Sequence, residues 1–170
     1  MQFTLFGKPD KYLADLRAEW RDTIEGDGGR CPCCDRWGKI NAQPLSEIMA
    51  LGLLWFSRTK GDANGWIDVP KRAPRWMMRG KTYATLARWE LLEKNGGSDD
   101  GKKSIGLWRI TKKGRDFING DIAVPDRVYT YNNNVEGFSN RLFYFYDCFG
   151  KHFHYETVMS DNFNLNAIRL

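Results

Sequence analysis

The chain has 170 residues, 42% of them hydrophobic, including seven Trp and ten Phe, and a formal net charge of +5. That supplies one well-buried domain with an appendage, or two small domains, and excludes wholesale disorder. No apolar run approaches the ~20 residues that span a bilayer, and the opening MQFTLFGKPDKY has neither a charged leader nor a cleavage site, which predicts a cytosolic protein.

In chain order, Lys8-Pro9-Asp10 has the form of a helix start, and Leu13, Leu16, Trp20 and Ile24 mark one apolar face through about Glu25. Gly26-Asp27-Gly28-Gly29 ends that helix. It is read either as a brace across the following domain or as a homodimer contact.

Next comes CPCCDRWGK. Cys31 and Cys34 have the two-residue gap that lets neighbouring thiolates turn onto one metal, and Pro32 stiffens such a knuckle. A zinc site needs four ligands, and no second Cys-x-x-Cys pair exists. Cys33, Cys148, His152 and His154 are the available completions. Cys148 and His152, separated by three residues within YDCFGKHFHY, complete the set with Cys31 and Cys34 if the C-terminal region folds back. The alternative is small buried thiols in a turn, with surface histidines. A disulfide is disfavoured in a reducing cytosol, and the strand-to-helix context of a redox motif is absent.

Pro44-Leu45-Ser46-Glu47 opens a second helix, with Ser46 as the cap. Residues 48–56 (IMALGLLWF) are apolar nearly all round, which predicts a central buried helix. Arg58 to Asn64 is a polar loop, and Trp66 to Val69 a short strand stopped by Pro70. Pro74 starts a brief helix through Met78, and Arg79 to Thr82 form a turn. A helix is predicted over Thr82 to Lys94, with Leu86, Trp89 and Leu92 on one side and Lys81, Thr85 and Arg88 on another. Residues 95–101 (NGGSDDG) are a loop, Ile105 to Ile110 a strand, and Thr111 opens a short helix ending near Asn119-Gly120.

Between Lys71 and Arg115 there are thirteen Lys or Arg against four Asp or Glu, a local charge of +9 that leaves −4 for the rest of the chain. Such a concentration attracts phosphate backbones through counterion release; a solvated basic face is the alternative.

The order helix, hairpin, helix, with LARWELLEK followed by GLWRITKKGRDFI, resembles the winged-helix branch of helix-turn-helix DNA-binding proteins over roughly residues 45–120. The resemblance implies a recognition helix at Thr82 to Lys94 and a wing at about residues 96–104. In that arrangement Arg75, Arg79 and Lys81 meet phosphates, while Thr82, Thr85 and Arg88 reach base edges. Arg88 bridging a guanine contributes about 1–3 kcal/mol of discrimination. Lys102 and Lys103 lie along the backbone or minor groove, and Asp99 and Asp100 keep the wing tip in solvent.

Beyond Gly120, Ile122 to Pro125 is a linker, and Arg127 to Tyr131 and Val135 to Phe138 flank Asn132-Asn133-Asn134, a hairpin turn. Arg141 to Tyr146 continues as a strand or buried segment, Tyr155 to Met159 as a short helix, and Asn162 to Leu170 fray. The dense aromatics here carry few basic neighbours, so core packing or a partner interface is preferred over a stacking platform for single strands.

The fold class expected is therefore α+β. A winged helix-turn-helix core over 45–120 follows an N-terminal helix and Cys-rich knuckle over 1–44, and precedes an aromatic-rich C-terminal extension with a small β-hairpin over 121–170. CPCCDRWGK, VYTYNNNVEGFS and DCFGKHFHYETVM together resemble a group of small bacteriophage-encoded proteins with no settled activity. That implies a protein acting in the host bacterial cytoplasm. An enzyme is not expected: there is no phosphate-cradling glycine loop, Ser elbow or His-Glu-x-x-His. Regulatory binding to double-stranded DNA is the first expectation. A non-enzymatic protein that inhibits a host defence or transcription complex is the second. Zinc is the one cofactor the residues suggest.

Overall fold

The computed structural model describes residues 12–96 and 106–152. It is mixed α and β, with several small antiparallel sheets. The chain divides into two compact units: the described residues up to Gln43 together with Tyr129–Gly137, and Pro44–Val128 together with the described residues from Phe138 onward. Among the described residues no helix is long and apolar enough to cross a membrane.

Helix α1 (Leu13–Glu25) is followed by the short strands β1 (Gly29–Arg30), β2 (Trp37–Gly38) and β3 (Asn41–Pro44). Its apolar side is used mainly near its C-terminus. Ile24 is buried, whereas Leu13 is 54% exposed. Gly38 explains the close packing there, because a Cβ on it would come within 2.5 Å of the Trp20 indole. Only a bare backbone lets the ring lie on β2.

Helix α2 (Glu47–Arg58) begins the second unit and buries Met49, Ala50, Leu51, Gly52, Leu53, Leu54 and Phe56. A helix apolar nearly all round has to sit inside the core, and this one does. Ser46 occupies the N-cap position with extended backbone, but its side chain makes no capping hydrogen bond. Strand β4 (Ile67–Asp68) leads directly into the single turn α3 (Val69–Arg72), where Asp68 caps the turn by accepting from the Lys71 backbone N–H. Pro70 ends the strand as expected, since it has no N–H to offer a ladder. Helix α4 (Arg75–Gly80), started by Pro74, ends at Lys81 in the left-handed region.

The helix predicted over Thr82 to Lys94 requires correction. The chain forms a 3-10 helix over Thr82–Trp89, then Glu90 adopts φ +61°, and β5 (Leu92–Lys94) begins. Helical propensity here yields to tertiary packing: Leu91 and Leu92 are both drawn into the core, and Leu92 pairs with Ile110. Strand β6 (Leu107–Ile110) lies between β5 and β4, with registers Leu92↔Ile110 and Ile67↔Trp108. The loop joining β5 to β6 contains the expected wing residues Asp99, Asp100, Lys102 and Lys103, which lie outside the described residues.

Helix α5 (Lys112–Ile118) follows β6. Thr111 Oγ1 caps it by accepting from the Gly114 N–H at 3.0 Å, and Gly120 at φ +79° ends it. Then come β7 (Val124–Pro125), β8 (Arg127–Tyr131), β9 (Asn134–Phe138) and β10 (Leu142–Phe143). The turn between β8 and β9 holds Asn132 at φ +49° and Asn133 at φ +65°, the pair of positive angles a two-residue hairpin turn requires. The strand expected over Arg141 to Tyr146 is confined to Leu142–Phe143, and a kinked 3-10 segment, Phe145–His152, follows. The helix start at Lys8 to Asp10 and the segments from Tyr155 to Leu170 lie outside the described residues.

Candidate functional site

In the 3-10 helix Thr82–Trp89 residues three apart share a face, because the turn closes every three residues. Tyr83, Leu86 and Trp89 form the inward row, 7%, 0% and 1% exposed. Tyr83 packs edge-on against the Trp108 ring at 5.5 Å and tilted against Phe56 at 5.9 Å. Gly52 on α2 faces Tyr83 across this contact, and a Cβ there would meet Tyr83 Cβ at an ordinary packing distance of 3.6 Å. Thr82, Thr85 and Arg88 form a second row, each partly exposed. The three side chains proposed to read bases therefore do share one face, by a three-residue period.

Immediately before this helix, α4 buries Met77 and exposes Arg75 and Arg79, which stand four residues apart and so on one side of the turn. Lys81, in its left-handed conformation, is also exposed. Among the described residues Arg75, Arg79 and Lys81 pair with no carboxylate. Other cations of the basic stretch are engaged. Lys71 pairs with Asp68 at 2.9 Å, Lys112 with Asp116 at 2.6 Å and Lys113 with Glu90 at 3.0 Å. Arg72 donates to the Lys60 carbonyl. Arg109 is the most occupied: it bonds Glu93 across β5 and β6, donates to the Asn64 carbonyl at 3.1 Å, and lies 4.3 Å over the Trp66 ring. It latches the 58–66 loop to the sheet. The charge count of the sequence overstated the positive surface, because pairing is invisible to counting.

The cysteine segment is a turn on the β1–β2 ladder, where Gly29 pairs with Gly38 and Arg30 with Trp37. Cys31 N–H donates to the Arg36 carbonyl and Asp35 N–H to the Cys31 carbonyl, both at 2.9 Å. Asp35 turns left-handed at φ +56°, and Arg30 Nη1 fixes it by bonding its carboxylate at 3.0 Å and its carbonyl at 3.1 Å. The backbone N–H of Cys33, and after it that of Cys34, holds the Cys31 thiol below its ordinary range. Cys33 and Cys34 are exposed, and all four cysteines are free.

Cys148 has a different setting. It packs against the core of the second unit, and burial pushes its thiol up to about 12, with the neighbouring Asp147 adding to the effect. The side chains of His152 and His154 lie outside the described residues. Among the described residues no three His, Cys, Asp or Glu side chains converge as a metal set.

Asp126, which sequence reasoning passed over, is a buried carboxylate with structural partners. It accepts from Ser139 Oγ at 2.6 Å, and its backbone joins Leu45 and Arg141. The aromatic-rich end leaves Tyr144 and Tyr146 exposed with rings stacked at 5.6 Å, beside a cleft of about 560 Å³ lined by Arg141, Leu142, Phe143, Tyr146 and Asp147. The chain matches no known protein-family model, and neither a curated protein nor a solved structure is detectably similar to it.

Proposed function

We propose that the second unit is a winged-helix module that binds double-stranded DNA, as a phage-encoded regulator in a host bacterial cytoplasm. The support is the sequence of elements: α2, then β4, then the short helices α3 and α4, the 3-10 helix, and strands β5 and β6 in a sheet ordered β4-β6-β5. The observation that carries the reading is the coincidence of two rows in consecutive elements. One is the row of exposed cations Arg75, Arg79 and Lys81, and the other is the Thr82, Thr85 and Arg88 face of the 3-10 helix. The first row meets phosphates, and the second reads base edges. The 3-10 helix is too short to run along a groove, so base contact on this reading is confined to two turns.

Arg79→Ala combined with Arg88→Ala tests it. Binding of the unaltered protein to random duplex DNA at low salt is measurable by fluorescence anisotropy, and the double variant weakens it at least tenfold with the far-ultraviolet circular dichroism unchanged. Equal binding by the two proteins removes the interface from Arg75 to Arg88.

A second reading has its own observation. The exposed stacked pair Tyr144 and Tyr146, with Leu142 also exposed, is an apolar surface suited to a protein partner. A pull-down from host lysate, run with and without nuclease, separates a partner held by nucleic acid from one docked on this surface.

A further inference from the structure

We infer that the turn between β1 and β2 is a metal-binding knuckle in which Cys31 Sγ and Cys34 Sγ ligate one thiophilic divalent cation of the zinc class. This inference is independent of the DNA reading and rests on the first unit alone. Three features of the turn converge on it.

The spacing is the first, since two intervening residues let both sulfurs face one point outside the turn. Secondly, the backbone is fixed in that shape by an antiparallel stem, by the two 2.9 Å bonds that close the turn, and by the Arg30 clamp on the left-handed Asp35. Thirdly, Cys31 is half-buried, Cys34 is exposed and both thiols are free, so a cation can reach the pair from solvent.

Packing alone does not account for this arrangement. A cysteine kept as a small hydrophobe is buried, whereas Cys33 and Cys34 are exposed and none of the three is in a disulfide. The proposal leaves Cys148 out, because it packs against the core of its own unit with its Sγ facing the Tyr144 carbonyl. The ligand set expected from sequence, Cys31, Cys34, Cys148 and His152, is thereby reduced on this proposal to the knuckle pair. The remaining positions of the cation are filled by water or by the knuckle of a second copy.

Cobalt(II) added to the reduced, metal-stripped full-length protein tests the site. A sulfur-to-cobalt charge-transfer band in the near ultraviolet is expected, saturating at one ion per chain if water completes the site, or at one per two chains if a second knuckle does. Either ratio supports the knuckle. Cys31→Ser and Cys34→Ser each reduce the band and weaken binding at least tenfold, while Cys33→Ser and Cys148→Ser keep it. Absence of the band in the unaltered protein overturns the proposal, and needs no variant to fold. Its persistence in the Cys31→Ser, Cys34→Ser double variant does so too.

Discussion

Trp89 donates its indole N–H to the carbonyl oxygen of Pro125, 36 residues further along the chain, at 2.7 Å. The contact joins the end of the 3-10 helix to β7 and so fixes the helix from its inward row. Phe keeps an aromatic ring but has no donor, so it loses the bond to the Pro125 carbonyl, and its smaller ring leaves part of the indole's space unfilled. We expect Trp89→Phe to lower unfolding free energy by about 1–3 kcal/mol. Trp89→Ala, which also opens a cavity in the core, costs about 3–5 kcal/mol. Urea unfolding monitored by circular dichroism measures both, and equal stability of Trp89→Phe and the unaltered protein would show the bond to be dispensable.

The contrast between unpaired and paired cations predicts how DNA binding responds to salt. Arg75 is exposed and pairs with no carboxylate among the described residues, whereas Lys112, 89% exposed in its side chain, is bonded to Asp116. Removing a phosphate contact lowers the slope of log K against log salt by about 1. Arg75→Ala is expected to show that reduction over a titration from low to physiological salt, with uniform loss across unrelated sequences. Lys112→Ala is expected to leave the slope within error, because its charge is already compensated. Identical slopes for all three proteins would place the phosphate contacts elsewhere.

Two glycines separate steric from conformational demands. A Cβ on Gly114 would collide with the Leu91 carbonyl oxygen and crowd Ile110, so α5 lies against the β5 side of the core only because that position is bare. Gly120 has open space around it but sits at φ +79°. Gly114→Ala is expected to cost about 1–3 kcal/mol through forced displacement. Gly120→Ala should cost about 1–2 kcal/mol through the left-handed backbone, and Gly120→Asn less, since Asn tolerates that region. Thermal unfolding of the three variants checks the order. Recovery of Gly114→Ala to full stability would mean that α5 can shift without loss.

What could be read from the sequence follows from how local each determinant is. Asn132-Asn133 specifies its hairpin through its own backbone preferences, and Thr111 and Gly120 mark the ends of α5 in the same way. Residues 48–56 announce burial because nothing polar interrupts them. The 3-10 helix could not be told from an α-helix by its apolar spacing, as Leu86, Trp89 and Leu92 fit both periods. The repeat Tyr83, Leu86, Trp89, stepping by three without drift, was the available signal. The left-handed turn at Glu90 was not legible, because nothing local favours it. It follows from Leu91 and Leu92 both entering the core, and from Thr111 Oγ1 reaching back to the Glu90 carbonyl at 2.7 Å. Likewise Arg109 counts as a positive charge in sequence and acts as a latch in space, since Asn64 and Trp66 come to it from one loop and Glu93 from β5.

Asp68 links pH to the start of the α3 turn. Its carboxyl is held below the usual carboxylate range, first by the Lys71 side chain, at 2.9 Å, and then by the Lys71 backbone N–H. A group whose folded pKa is depressed binds its proton more readily when unfolded. Its contribution is therefore complete above the unfolded value of 3.8 and is lost as pH falls through the lower, folded one. Asp68→Asn retains an oxygen for the Lys71 N–H but abolishes the titration. The difference in stability between the unaltered protein and Asp68→Asn should thus be constant from pH 7 to pH 5, and shrink as the solution is acidified below pH 4. Because Lys71 is an exposed surface partner, the same difference should also narrow in high salt at neutral pH. Urea midpoints for the two proteins at matched pH and salt give both dependences. A difference that stays constant through the acid range would assign the effect of Asp68 to its cap geometry alone and not to its charge.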